Sequence, residues 1–419
     1  MIALAEILAR HARGLAYLVA LLAVLAAWAV IVMSGDVVRS KDEVAFMTIA
    51  GHIVSEGMFA ETSGQPTAYR APGPVFLVTP VVALGGGLME ARLLNAVVFG
   101  LGLVVLFHLI RRQAGPLAGL MAVVMVPLWP VALFAATTLY PQTLAATLLV
   151  ATLWLIDRLR DGRSLGRAVL AGLACGALIL TTPVVLLLFP LMVIWLFHVS
   201  PRWLPHAVVF CMVSGGLVSS WTVRNYLAFD AFVPVATSSG YNLLAGNAPN
   251  ARYNTSLNVR FPEHVYAEIT GKSEVERNDI MTEAAFAEIA RDPDRFWRLY
   301  AAKFAHWFHF SNRLLSDEVL KDGAAPVSVG AREVILGASY ALVIAGPLLL
   351  RLAFIRRYPF RRIELLFLAF WIGAGLIYAL FFTRVRFRLP FDWLIISSNA
   401  IFLTAMLENW VRSARARLG

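Results

Sequence analysis

Apolar runs of about 20 residues recur from one end of the chain to the other, the length an α-helix needs to cross about 30 Å of hydrocarbon. Within such a layer no water satisfies backbone N–H and C=O groups, so only helices or a closed barrel can form. The runs are continuous rather than alternating, which excludes an outer-membrane barrel. A hydrophobic share of 59% against a charged share of 15% excludes soluble, disordered, disulfide-rich and collagen-like chains. The 419 residues read as an all-α polytopic membrane protein. The net charge of +10 does not suggest nucleic acid, because the basic residues fall at the ends of apolar runs rather than on a soluble face. Cys175 and Cys211 both sit inside apolar runs and read as small buried hydrophobes.

About 10 transmembrane helices are expected, at 15–33, 92–110, 117–134, 139–156, 168–180, 184–197, 207–223, 333–350, 363–382 and 393–407. The two short runs that share Pro183 are kept separate, because merging them would invert every later loop. Ten crossings gather Arg10 and Arg13, Arg111 and Arg112, the group Arg158, Arg160, Arg163 and Arg167, then Arg202, on one side. Arg351, Arg356, Arg357, Arg361, Arg362, Arg412, Arg415 and Arg417 join them. The positive-inside rule makes that side cytoplasmic and puts both termini there. No small-residue cleavage site follows the first run, so a retained first span is expected. The chain then divides into an N-terminal transmembrane module, 1–223, with a first outer loop at 34–90, an extracytoplasmic loop or lid at 224–332, and C-terminal helices at 333–419.

In the first outer loop, Asp42 and Glu43 head an apolar stripe of Phe46, Met47, Ala50, Ile53 and Val54 that stops at Gly57. This reads as an interfacial helix, too short to span, with a second apolar stretch at 75–84. Asp42 can be a plain N-cap or a reactive carboxylate. Pro72 and Pro74 fix Arg70 at the interface, as a lipid anchor or as a bidentate phosphate ligand. Arg384, Arg386 and Arg388 crowd an outer membrane edge; if extended, their alternation sends all three to one face, as an anchor row or an anion clamp. Arg224 and Asn225 either cap the seventh span or line the site, and His52 can face the cavity. The stretch 240–247, with Asn242 and Asn247, reads as a turn over the cavity. His306 and His309 are surrounded by aromatics and read as an interfacial belt rather than a metal site. Helices are expected at 274–290 and 294–310, and Asn254-Thr255-Ser256 fits a sequon.

The order of these features resembles bacterial GT-C glycosyltransferases, the polyprenyl-phosphate-sugar-dependent enzymes related to protein O-mannosyltransferases and to the aminoarabinose transferases that modify lipid A. The matching pieces are Asp42-Glu43 heading the helix that ends in Gly57-Met58-Phe59, Tyr69-Arg70-Ala71-Pro72-Gly73-Pro74, and Arg92-Leu93-Leu94-Asn95. Trp221-Thr222-Val223-Arg224-Asn225-Tyr226, Phe232-Val233-Pro234-Val235, the stretch 240–247 and Arg384-Val385-Arg386-Phe387-Arg388-Leu389-Pro390 follow in the family's order. The resemblance implies a GT-C-like fold in a bacterial cytoplasmic membrane, with the active site facing the exterior. It implies transfer of a sugar, with inversion, from a polyprenyl-phosphate donor to an acceptor hydroxyl on a glycan such as lipopolysaccharide, a lipid or a protein. Asp42 would be the general base, with Glu43 beside it, and Arg70 would hold the donor phosphate with Tyr69 and the arginines at 384, 386 and 388. No cofactor is implied with certainty. A divalent metal is doubtful, because Gln142 stands where many relatives carry glutamate and Asp42 with Glu43 makes a poor site for a hard cation. A transporter or flippase for a polyprenyl-linked or anionic solute is the alternative from another class, disfavoured by spans nearly free of charge. A glycopolymer ligase or polymerase is a third, disfavoured by the acidic pair after the first span.

Overall fold

The computed structural model describes residues 2–162, 164–254, 259–310 and 329–418. Arg163, and Thr255 and Ser256 of the sequon, lie outside the described residues. The chain runs α1 (Ile2–Ser34), α2 (Lys41–Glu56), the hairpin β1 (Ala60–Thr62) and β2 (Gln65–Pro66), α3 (Pro72–Ala83) and α4 (Leu88–Ala114). It continues with α5 (Pro116–Met125), α6 (Pro130–Ala136), α7 (Pro141–Asp157), α8 (Leu165–Thr181), α9 (Val185–Val199) and α10 (Trp203–Phe229). The second long loop carries α11 (Ser239–Asn247), α12 (Glu263–Ile269), α13 (Glu274–Arg291) and α14 (Pro293–Trp307). The chain ends in α15 (Val329–Tyr340), α16 (Gly346–Ala353), α17 (Arg362–Leu380) and α18 (Val385–Leu418).

Each expected span falls on apolar helical structure, the one at 117–134 on the bent pair α5 and α6, but the count of about ten is not reached on length. Among the described residues seven helical stretches are long and apolar enough to cross a membrane, or eight if α5 and α6 form one bent span. The shortfall is α8 and α9, whose 17 and 15 residues extend only about 25 and 22 Å. The pair α5 and α6, bent by 73°, does not turn back on itself. Gly119 of α5 lies against Phe107 of α4, while the carbonyls of Ala135 and Thr138, at the far end of α6, accept from Asn95 of the same helix. The two helices thus climb about 18 Å along α4. Pro127 and Pro130 account for the bend, since neither can donate to a continuous helical ladder.

Helix α18 is the central element: 83% of its most apolar stretch is buried, against 28% for α1 and 22% for α10, which leave apolar faces exposed. Trp393 of α18 sits edge-on to Phe99 and against Gly102 of α4. The helix ends sort to two faces of the bundle. At one, Tyr17 meets His108 (2.9 Å), Arg112 pairs with Asp157 and Asp161 (both 2.8 Å), Arg361 donates to the Gln113 carbonyl and Asn409 donates to Tyr358. This basic end therefore holds α1 near its start and α18 near its finish. At the other, Arg92 of α4 meets Glu43 in the segment after α1, and Asn95 of α4 meets the end of α6.

Candidate active site

Helix α2 begins because Ser40, in extended conformation, accepts from the Glu43 N–H (3.3 Å), and it ends at Gly57, whose φ of 66° suits a residue without a side chain. Asp42 is therefore not the N-cap; it lies in the first turn with its side chain 29% exposed. A step of one residue turns a helix by about 100°, so Asp42 and Glu43 face different surroundings. Glu43 points inward and is wholly buried. Its carboxylate accepts from Arg92 Nε (3.0 Å) and Nη2 (2.7 Å), and from the backbone N–H groups of Arg39 (2.8 Å) and Leu139 (3.1 Å). This hub fastens the start of α2 to α4 and to the start of α7. Asp42 and Glu43 do not converge on one point, so between them they assemble no donor set for a hard cation.

Asp42 is flanked instead by two guanidinium groups. Arg70 Nη1 donates to its Oδ1 at 2.5 Å, and Arg386 Nη1 lies 3.8 Å from its Oδ2. The Nε of Arg70 and the Nε of Arg386 are both buried without a hydrogen-bond partner. That Arg70 Nε lies 3.9 Å from Glu61 Oε2, an ion pair too long for a hydrogen bond, and the Arg70 guanidinium lies over Phe46 and Tyr69, while Arg386 lies 4.4 Å from the Tyr140 ring centroid. Burial, with the nearby Tyr241 phenol adding to it, pushes the Tyr69 hydroxyl up to about 12, so it stays protonated and can donate. Two cations, each with a buried Nε–H that makes no hydrogen bond, flank one carboxylate, and such an arrangement has donors to offer an anionic ligand.

The row Arg384, Arg386 and Arg388 does not act as one face. The segment is not extended: α18 starts at Val385, and in a helix residues two apart point in nearly opposite directions. Only Arg386 reaches Asp42. Arg388 is fully buried, paired with Asp392 at 2.8 Å and donating to the carbonyls of Trp307 and His309. Arg384 is buried over the Phe382 ring. Arg224 and Asn225 do not cap α10, whose C-cap is Asp230. Arg224 donates to the carbonyls of Thr67 (2.8 Å) and Phe59 (2.9 Å), and Asn225 to that of Val233 (3.0 Å), which ties the end of α10 to the loop after α1 and to the segment that follows α10. His52 Nδ1 lies 2.7 Å from the Ala60 carbonyl and so braces α2 against the hairpin.

The stretch expected as a turn over the cavity is the helix α11. Its glycines serve close approach: a Cβ on Gly246 would stand 1.9 Å from the Phe381 carbonyl oxygen, and one on Gly240 2.1 Å from that of Asn278. Asn242 is half-buried on this helix, and Asn247 donates to the carbonyls of Leu243 and Leu380. His306 and His309 stack on each other, with Tyr253 edge-on to His306. Among the described residues no group of three or more His, Cys, Asp or Glu side chains is placed to hold a metal. A cavity of about 580 Å³ adjoins the site, between the hairpin and α13, with Glu61, Tyr69, Tyr241, Glu274 and Arg277 in its walls.

Sequence reading did not single out Glu274 or Lys303. Lys303 on α14 is fully buried, with its ammonium 3.4 Å from Asn247 Oδ1. Burial, reinforced by Arg295, brings its ammonium down to about 7. The folded state then holds this proton less tightly than the unfolded one, so stability rises as pH climbs from about 7 towards the ordinary lysine range. Lys303→Met is accordingly expected to raise the thermal midpoint in detergent, with the gain greatest below pH 7 and fading towards pH 10. A gain independent of pH would contradict this burial effect.

No family model and no curated protein matches the chain. The chain is similar to the crystal structure of ArnT from Cupriavidus metallidurans bound to undecaprenyl phosphate, with a TM-score of 0.42 and 15% identity over 92% of this chain and 78% of that one. It is likewise similar to ArnT from the same organism in the apo state, with a TM-score of 0.40 and 17% identity over 91% and 77%.

Proposed function

We propose that the chain is an inverting glycosyltransferase that moves a sugar from a polyprenyl-phosphate donor to an acceptor hydroxyl at the outer face of a bacterial cytoplasmic membrane. The observation that carries this reading is the carboxylate of Asp42 set between Arg70 and Arg386, each with a buried Nε that makes no hydrogen bond. It lies at the bundle end opposite the basic clusters, which the positive-inside rule makes the outer one.

In the proposed step the donor phosphate takes the place that the two Nε groups leave open. The acceptor oxygen attacks the anomeric carbon from the face opposite the phosphate. Its proton passes to an Asp42 oxygen as the new C–O bond forms and the carbon–phosphate oxygen bond breaks. The leaving group is a stable anion that needs charge stabilisation more than protonation, which suits guanidinium groups fixed in advance. Arg70 therefore binds and stabilises the departing phosphate, Arg386 opposes it across Asp42, and Tyr69 supplies a protonated hydroxyl beside them.

Purified protein in liposomes, given a radiolabelled polyprenyl-phosphate sugar, tests this reading. Release of lipid phosphate with transfer of the label to an acceptor supports it, whereas movement of intact donor across the bilayer identifies a transporter. Arg70→Ala is expected to weaken donor binding and slow transfer by about 10²–10³-fold, the loss typical of one preorganised donor at developing charge. Arg112→Ala, at the basic end, serves as the control with near-normal turnover. Equal rates for the two variants would reduce Arg70 to a lipid anchor.

A further inference from the structure

Asp42 holds the Arg70 guanidinium directly, but the backbone that carries it is fixed by residues that do not touch that guanidinium. The three residues before Arg70 have their backbone polar groups engaged almost throughout. Thr67 N–H donates to the Phe59 carbonyl (3.0 Å), and the Thr67 carbonyl accepts from Arg224 (2.8 Å). The Ala68 carbonyl accepts from the Thr237 N–H (2.9 Å), and Tyr69 N–H donates to Thr67 Oγ1 (3.1 Å). The last of the three N–H groups, that of Ala68, donates to Oε1 of Glu274 at 2.9 Å. That carboxylate also accepts from Thr67 Oγ1 (2.6 Å, through Oε2) and from Thr237 Oγ1 (2.5 Å, through Oε1). Glu274 opens α13, behind Ser273 as N-cap. One side chain of the second outer loop thus gathers the first outer loop and the irregular segment after α10 into a single knot. On the far side of Arg70, Gly73 in the first turn of α3 lies against Thr181 at the end of α8, where a Cβ would come within 2.9 Å of the Thr181 Cα. The backbone that carries Arg70 is therefore held between two fixed points, of which only the Glu274 knot is supplied by the second outer loop.

We propose that Glu274 is a positioning residue that sets Arg70 for the donor phosphate through hydrogen bonding and not through its charge. This rests on the reading of Arg70 as a phosphate ligand. All the groups bonded to Glu274 are hydroxyls or one amide N–H, so a glutamine can replace them in kind. Its carbonyl accepts from Ala68 and Thr237, and its amide donates to the Thr67 hydroxyl, which can reverse its role. Alanine removes all three contacts and leaves the Ala68 N–H buried without a partner.

The test measures undecaprenyl phosphate affinity in detergent for full-length protein, alongside the thermal midpoint as a check on folding. Glu274→Ala is expected to weaken binding about tenfold, Glu274→Gln by less than about twofold, and Glu274→Ala added to Arg70→Ala by no more than Arg70→Ala alone. Equal losses in the Ala and Gln variants would mean that charge is what matters, and a loss that persists in the Arg70→Ala background would mean that Glu274 does not act through Arg70. Either result overturns the proposal, as does wild-type affinity in Glu274→Ala. Amide hydrogen exchange at Ala68 and Tyr69 reads the knot independently of any ligand: faster exchange in the Ala variant but not in Gln is expected, and unchanged exchange in both refutes the knot. Wild-type affinity in Arg70→Ala itself would instead defeat the phosphate reading, and this proposal with it, while the exchange result still stands or falls separately.

Discussion

Asp42→Asn is expected to lower the transfer rate by about 10²–10⁴-fold, the usual contribution of a positioned general base, with donor affinity little changed. Asparagine keeps an oxygen for Arg70 at the Oδ1 position and nearly the same volume, yet it cannot take the acceptor proton. The carboxylate is the only part removed. Because Arg70 and Arg386 remain, binding of the donor phosphate should persist. A split between rate and affinity is thus the signature to look for, and it differs from Arg70→Ala, where both fall. Single-turnover rates and equilibrium binding in the same detergent separate them. A variant that turns over at a near-normal rate would place the base elsewhere.

The second large effect is on stability. Arg92→Ala leaves the Glu43 carboxylate, buried at 0% exposure, without the cation that meets both its oxygens. It also releases the carbonyls of Gly35 and Val37, which Arg92 holds at 3.1 and 2.7 Å. Breaking a buried ion pair by removing one partner costs about 3–5 kcal/mol, far more than the loss of an exposed pair. Arg92→Ala should therefore lower the thermal midpoint sharply, whereas Arg412→Ala, whose 3.9 Å contact to Glu408 is largely exposed, should leave it almost unchanged. Removing both members together, as Glu43→Leu with Arg92→Met, is expected to recover part of the loss, since no uncompensated charge then remains. Comparable midpoints for Arg92→Ala and Arg412→Ala would contradict the assignment of Glu43 to structure.

The positions of the membrane helices were legible because apolarity over about 20 residues is a local property that reports the surrounding solvent directly. So were α2, from its stripe and Gly57, and α13 and α14, from their helix-forming composition. What escaped sequence reading depends on partners far along the chain. Glu43 and Asp42 are neighbours of one chemical type, and only Arg92, 49 residues on, makes one of them a buried anchor. The charges of the arginine row at 384–388 interrupt the hydropathy of the last span, which hides that the helix has begun there. The spacing of Arg388 and Asp392, one helical turn apart, was the signal that the helix had already begun. Gly240 and Gly246 suggested a turn, since the sequence does not distinguish a glycine needed for backbone freedom from one needed for close approach. Glu274 gave no signal, because its three partners come from two other segments.

A structure of the protein with polyprenyl phosphate bound tests the central claim most directly. The account predicts phosphate oxygens within hydrogen-bond distance of the Nε groups of Arg70 and Arg386, with the Asp42 carboxylate turned towards the space where the acceptor would approach. Phosphate held by the arginines of the basic end, or at the opposite end by cations other than these two, would contradict it.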